Sequence, residues 1–438
     1  MGVLFWPRGA GETLLISAAR VIDPREGVDG AFDLAIRDGV ITALTTPDGK
    51  RPRSDTRLVD GSGLVLAPAF VDSHVHLRTP GREDEETLAS GSAAAAAGGY
   101  CAILAMPNTD PVVDGAAVLG TLVEQAEAEA QVPVGFMAAI SKGQAGAELT
   151  EMGELADAGA AGFTDDGKPV VSAGLLRRAL QYGALTGRRI ALHCEEPTLS
   201  QGGQMHEGVV SAELGLRGYP SIAESTEVAR DIAVASYEGQ PLHFLHVSAR
   251  ESVELVEQAL SADVQVSAEA TPHHLCLTDE AVRSLSPNLK MNPPLRAEED
   301  RQALIAALRS GTISCVATDH APHARQEKDV PFEQAPFGVT GLETAFAALH
   351  TRLVEPGLLP LETLLVRMSA GPAEVFGLPV PRIAVGERAN LVLLDLEASW
   401  RVEEDGFRSR SVNSWLLGET LRGAVAMTIA DGRVVYER

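Results

Sequence analysis

Five short clusters in this sequence place imidazole or carboxylate side chains directly after apolar, β-branched runs. They are Asp72-Ser73-His74-Val75-His76-Leu77-Arg78, Thr164-Asp165-Asp166-Gly167, Leu192-His193-Cys194-Glu195, Phe244-Leu245-His246-Val247-Ser248 and Thr318-Asp319-His320-Ala321-Pro322-His323. Imidazole nitrogens and carboxylate oxygens are common protein ligands of catalytic divalent cations. His74 and His76 stand two residues apart, so on a strand end both side chains leave the same face and can share one ion. An isolated His-x-His is more often incidental than a ligand pair. Here His193, His246 and Asp319 fall at equivalent strand ends, which reverses that weighting. A second ion needs a bridging anion, and one carboxylate offers two oxygens for the purpose. Asp165 and Asp166 are both candidates. The chemistry that such a set serves is metal-assisted hydrolysis.

Residues this far apart meet only if the fold gathers strand ends. Apolar runs recur at Leu66 to Val71, Cys101 to Met106, Val132 to Ala138, Ala161 to Thr164, Arg189 to Leu192, Leu242 to Leu245, Val264 to Ala268 and Ile313 to Ala317. Helical patterns lie between them, such as Glu85 to Ala97, Ala116 to Ala130, Ala173 to Leu185, Thr226 to Tyr237, Arg250 to Leu260 and Asp300 to Leu308. Strand then helix, eight times, predicts a parallel (β/α)8 barrel, a TIM-like fold whose functional side chains come from the C-terminal ends of the strands. The five clusters follow runs one, four, five, six and eight, so the barrel would bring them to one mouth.

The ends of the chain have a different texture. Leu14 to Ile16, Asp33 to Ile36 and Val40 to Leu44 alternate as short strands, with turn signals at Asp29-Gly30 and Asp38-Gly39. Asn390 to Leu394, Leu421 to Ile429 and Arg433 to Tyr436 repeat this pattern around Asp431-Gly432. The expected organisation is therefore an α/β chain with a barrel over residues 66–380 and a small β-sandwich formed by residues 1–65 and 381–438.

Composition narrows the function. With 36 Lys+Arg against 60 Asp+Glu the formal charge is −24, which argues against nucleic acid or an anionic membrane as partner. An anionic substrate would have to be held by local cations. The four cysteines, Cys101, Cys194, Cys276 and Cys315, lack CxxC spacing and read as reduced core residues. No run of about 18 apolar residues occurs and the opening Met1 to Trp6 has no preceding basic segment, so a soluble cytoplasmic protein is expected.

Three further segments, Ala105-Met106-Pro107-Asn108-Thr109, Met291-Asn292-Pro293-Pro294-Leu295-Arg296 and Pro336-Phe337-Gly338-Val339-Thr340-Gly341-Leu342-Glu343, join the clusters in a pattern that covers nearly the whole chain. In this pattern the sequence resembles the dihydroorotases of the amidohydrolase superfamily, the bacterial type in which an aspartate replaces a carboxylated lysine bridge. The resemblance implies zinc, one or two ions per subunit, with a binuclear site favoured. His74, His76 and Asp319 would bind one ion, His193 and His246 the other, and Asp166 would bridge them. It implies hydrolysis of dihydroorotate to N-carbamoyl-aspartate by a metal-held hydroxide, reversibly, in pyrimidine (UMP) biosynthesis, with Asp319 carrying the proton. Arg78, Asn108 and His323 would hold the substrate carboxylate. Asn292, Phe337 and Gly338 would hold the ring's ureide edge. The resemblance also allows a homodimer and a complex with aspartate transcarbamoylase.

Two positions depart from the pattern. Thr79 stands where a glutamate is expected, at a side chain that need not touch the ligand. Lys168 lies near the place where related enzymes bridge through lysine, but between Gly167 and Pro169 it reads as an exposed turn. His206, His243 and His350 match no ligand position, His273 and His274 suit a supporting role, and alternation should turn His320 away from the site. The rival readings are a hydantoinase or allantoinase acting on ureides without this carboxylate, and a non-catalytic scaffold that has lost its ligands.

Overall fold

The computed structural model describes residues 2–47 and 56–438 of the protein. Eight parallel strands, Phe70–Val75, Tyr100–Ala105, Val134–Ala138, Gly162–Phe163, Arg189–Leu192, Leu242–Phe244, Val266–Ala270 and Cys315–Val316, lie side by side in chain order. A bridge between Val75 and His320, with His76 N donating to His320 O at 2.8 Å, brings the eighth strand end back to the first. The sheet is thus a nearly closed barrel. Its first three strands are buried at every position, as expected for strands covered on one face by the barrel interior and on the other by helices.

The outer helices form where the sequence supplies an apolar stripe and caps. Helix Arg250–Ser261 buries Val253, Val256 and Ala259, three residues apart. Helix Leu88–Ala97 begins with a reciprocal cap in which Thr87 accepts from Ser90 N and Ser90 accepts from Thr87 N. Helix Ala173–Thr186 starts under the Ser172 hydroxyl and stops at Gly187, whose φ of 66° is left-handed.

Among the described residues the two chain ends build one mixed sheet of eight strands. Leu14–Asp23, Val28–Arg37, Val40–Thr45, Arg57–Asp60 and Val65–Pro68 come from the first end, and Leu391–Arg401, Thr420–Ala430 and Arg433–Glu437 from the second. Val65–Pro68 pairs antiparallel with Leu391 to Leu394 and so ties the ends together. Alternate residues Leu14, Ile16, Leu34, Ile36, Leu391, Leu393, Met427 and Ile429 close over a core separate from that of the barrel.

Two local expectations are corrected. The run Leu66 to Val71 is not one strand. It is divided at Ala69 between Val65–Pro68 in the end sheet and Phe70–Val75 in the barrel, because Leu66 packs into the end-sheet core while Phe70 packs into the barrel. Asp29-Gly30 is not a turn either. The chain turns before Val28, and Asp29 pairs across the strands with Ile22 while its carboxylate accepts from Arg20 Nε and Nη2 at 2.9 Å. Asp38-Gly39 and Asp431-Gly432 are turns, with all four residues at positive φ. Among the described residues no helix is long and apolar enough to cross a membrane.

Candidate functional site

At the C-terminal mouth of the barrel, strand ends one, four, five, six and eight deliver His74 and His76, Asp166, His193, His246 and Asp319 to a single buried cluster. The two oxygens of Asp166 face different partners. Oδ2 lies 3.4 Å from Nε2 of both His74 and His76, and Oδ1 lies 3.4 Å from Nε2 of His246. Asp319 Oδ1 lies 3.1 Å from His76 Nε2 and 3.5 Å from His74 Nε2. His193 reaches the cluster through Nδ1, 3.1 Å from His246 Nε2. Arg78, His246 and Asp319 hold left-handed backbone, with φ of 58°, 31° and 47°. Such strain persists only where surrounding structure enforces it, and it gathers at functional sites.

The donor set fits divalent cations. His74, His76 and Asp319 form one convergent group and His74, Asp166 and His246 a second, with ligand atoms within 4.8 Å of one another. His74 Nε2 and Asp166 Oδ1 are buried without a hydrogen-bond partner, a deficit of about 1–3 kcal/mol for each such atom that a cation would remove. Burial opposes charge on Asp166, but His74, His246 and His76 hold its carboxyl well below the usual carboxylate range. Asp319 is likewise lowered against its burial, by His74 and His76. Both therefore present the ionised form that ligates metal.

Behind the cluster lie carboxylates to which the sequence reading gave no role. Glu269, on the seventh strand, approaches His74 Nδ1 at 2.7 Å and His243 Nε2 at 3.0 Å, and accepts from Ser73 Oγ at 2.9 Å. Holding Nδ1 in this way directs His74 Nε2 into the cluster. Asp72 accepts from His74 N and Thr318 N, both at 3.1 Å, and so fastens the first strand to the eighth. Asn108 Oδ1 faces His76 Nδ1 at 2.9 Å, and Glu195 Oε2 faces His193 Nε2 at 3.0 Å. The one sequence signal for Glu269 was an acid between Ala268 and Ala270, just after the seventh apolar run.

The adjacent acids separate. Asp165 turns away and accepts from Ile140 N at 2.8 Å, from Ser141 N at 3.0 Å and from the Ser141 hydroxyl. Lys168 is exposed and its N–H closes a turn onto Asp165 O at 2.9 Å. His320 points away toward Glu86, 3.2 Å from its Nε2. His274 packs outside the cluster against Thr271 Oγ1 and Pro293 O. His273 is buried beside it with Nε2 unpartnered.

A cavity of about 240 Å³ opens over the cluster, lined by His76, Asp166, His193, His246 and Asp319 together with Arg78, Asn108, Asn292, His323, Phe337 and Gly338. Every residue expected to touch substrate therefore faces the same space as the candidate ligands, while Thr79 does not line it. Arg78 donates through Nε to Pro322 O at 3.1 Å, and its fork nitrogens donate no hydrogen bond among the described residues. Asn292 Nδ2 donates to Glu195 Oε2 at 3.0 Å, leaving its buried Oδ1 unpartnered. His323 Nε2 meets Phe337 O at 2.7 Å. Gly338 is required here. Its φ is 123°, and an added Cβ would lie 2.7 Å from Ala321 Cβ and 3.0 Å from His323 Nε2.

Comparison with known proteins agrees with this geometry. The family model described as Dihydro-orotase-like matches residues 63–252. The dihydroorotase of Syntrophus aciditrophicus (strain SB) is 45% identical over 424 residues, which cover 97% of this chain and 99% of the relative. The chain belongs to the dihydroorotase family. The dihydroorotase of Geobacter metallireducens is 43% identical over 97% of this chain and all of the relative. Among solved structures, the L-hydantoinase (dihydropyrimidinase) from Arthrobacter aurescens superposes with a TM-score of 0.87 at 27% identity, covering 98% of this chain and 96% of that one. A D-hydantoinase at 24% identity and a TM-score of 0.82 shares the fold. This member of the dihydroorotase family thus carries the hydantoinase-like barrel and mixed end sheet.

Proposed function

We propose that this protein hydrolyses dihydroorotate to N-carbamoyl-aspartate and catalyses the reverse ring closure, in pyrimidine (UMP) biosynthesis. The observation that carries the reading is one cavity lined both by the His/Asp cluster and by Arg78, Asn108, Asn292 and His323. His74, His76 and Asp319 would hold one cation, His193 and His246 a second, and Asp166 would join the two through its separate oxygens. When bound, a divalent cation, zinc in this reading, supplies an acidic water and draws charge from the substrate carbonyl.

The protein's own groups orient the substrate and move the proton. Arg78 directs its fork at the substrate carboxylate, and Asn108 offers its amide hydrogens because its oxygen is occupied by His76. The free Oδ1 of Asn292 accepts from a ring N–H. Water oxygen adds to the ring carbonyl carbon, the carbon–nitrogen bond breaks, and Asp319 accepts the water proton and returns it to the departing nitrogen. In the synthetic direction Asp319 takes the proton from the ureido nitrogen as that nitrogen adds to the carboxyl carbon, and returns it to the oxygen that departs as the carbon–oxygen bond breaks.

The test is to strip the purified protein with a chelator, reload it with zinc, and follow the interconversion of dihydroorotate and carbamoyl-aspartate in both directions. Activity lost on stripping and regained on reloading is expected. Absence of turnover in the loaded protein would contradict the reading.

A further inference from the structure

Glu85 stands behind the substrate pocket at a junction of charges to which neither the ligand cluster nor the proton transfer assigns a role. It lies on the segment between the first barrel strand and helix Leu88–Ala97, and it is buried. Its Oε2 is 3.0 Å from Arg78 Nε, and its Oε1 is 3.1 Å from His323 Nδ1 and 2.8 Å from Arg82 Nη2. Arg82 Nη2 also lies 2.6 Å from Glu327 Oε1. The backbone is fixed as well, because Ser411 Oγ donates to Glu85 O at 2.6 Å and Glu85 N donates to Arg82 O at 2.9 Å.

A buried carboxylate beside an anion site would repel the substrate if it faced it. Glu85 does not line the cavity; it touches the far sides of the two residues that do. The guanidinium is planar, so fixing Nε between Glu85 and Pro322 O fixes the direction of the whole fork. A neutral His323 spends its one N–H on Phe337 O at 2.7 Å, so the hold of Glu85 on the site runs through Arg78. Glu85 and Pro322 O contact only Nε of Arg78, so its fork nitrogens remain able to take a second carboxylate.

Resting on the functional reading above, we propose that Glu85 is a positioning residue for substrate-carboxylate recognition, acting through Arg78 rather than on the reacting atoms. Glu85→Gln retains the shape and removes the charge. KM for dihydroorotate and Kd for carbamoyl-aspartate, the latter by calorimetry, should each rise about tenfold, one lost charge-assisted contact, while kcat and zinc content stay near those of the parent. Placed on Arg78→Met, the same substitution should add less than about twofold to KM, because contacting residues are not additive.

An unchanged KM and Kd, a loss confined to kcat, or full additivity with Arg78→Met would overturn the assignment. Glu85→Asp, which withdraws the carboxylate from Arg78, is measured by the same criteria if Glu85→Gln does not fold. A parent protein without dihydroorotate turnover contradicts the functional reading. An active parent with an indistinguishable Glu85→Gln variant contradicts only the role of Glu85.

Discussion

Asp165 and Asp166, neighbours in the chain, direct their carboxylates into separate networks: Asp165 onto the backbone N–H groups of Ile140 and Ser141, Asp166 into the imidazoles of His74, His76 and His246. The separation arises where the chain leaves the fourth strand after Phe163 and turns, with Lys168 N donating to Asp165 O at 2.9 Å, so that the two side chains leave in different directions. Asp166→Asn should therefore lose bound zinc and turnover together, read by metal analysis and initial rates. Asp165→Asn should keep its zinc and lose thermal stability, by about 1–3 kcal/mol for a disrupted buried acceptor. Zinc loss in Asp165→Asn alone would reverse the assignment.

Lys168, exposed in its turn, should play no part in holding metal. Lys168→Met is expected to match the parent in zinc content and rate, and added bicarbonate should change neither. Bicarbonate-dependent activity that disappears in Lys168→Met would show a lysine bridge instead.

Asp319 carries the proton in this account. Asp319→Asn keeps an oxygen toward His76 and His74 but cannot accept a proton, so kcat should fall at least about 100-fold, the lower range for a general acid–base group. Metal analysis of the variant separates this from simple loss of zinc. A rate within a few-fold of the parent would place the proton transfer elsewhere.

Glu269 supports His74 from behind. Glu269→Gln should weaken zinc binding by about 10–100-fold, the usual effect of losing a carboxylate that orients a histidine ligand, as measured by competition with a chromophoric chelator. Unaltered affinity would mean that Glu269 serves only the packing between the first and seventh strands.

Much of this was legible in the sequence because a parallel barrel writes its strands as apolar runs and its site as the residues just after them. His74, His76, His193, His246 and Asp319 followed directly from that rule, as did the outward turn of His320. The rule fails where one run serves two sheets: in Leu66 to Val71 the one mark of the division at Ala69 is Pro68 just before it, a break that packing against two separate cores completes. Asp29-Gly30 misled because a turn dipeptide can sit in a strand when a neighbour such as Arg20 satisfies the acid. Glu85 and Glu269 were missed for a related reason. A buried carboxylate is recognised by its partners, and those partners come from segments remote in sequence, His323 and Arg78 in one case and His74 and His243 in the other.

Arg78→Met tests how the anion is held: KM for dihydroorotate should rise at least about tenfold with the charge-assisted contact gone. A fall in kcat and zinc content without that rise would make Arg78 a support of the fold or the metals.

The central claim is that the cation cluster and the carboxylate-binding residues form one site, and the most direct measurement is kcat/KM of the zinc-loaded parent for dihydroorotate against dihydrouracil, the same ring without the carboxylate. A preference for dihydroorotate of at least about a hundredfold is predicted, since a site built to pair a polar group discriminates strongly against its absence. Equal values, or a preference for dihydrouracil, would contradict the account and make the protein a hydantoinase-type enzyme in substrate choice as well as in fold.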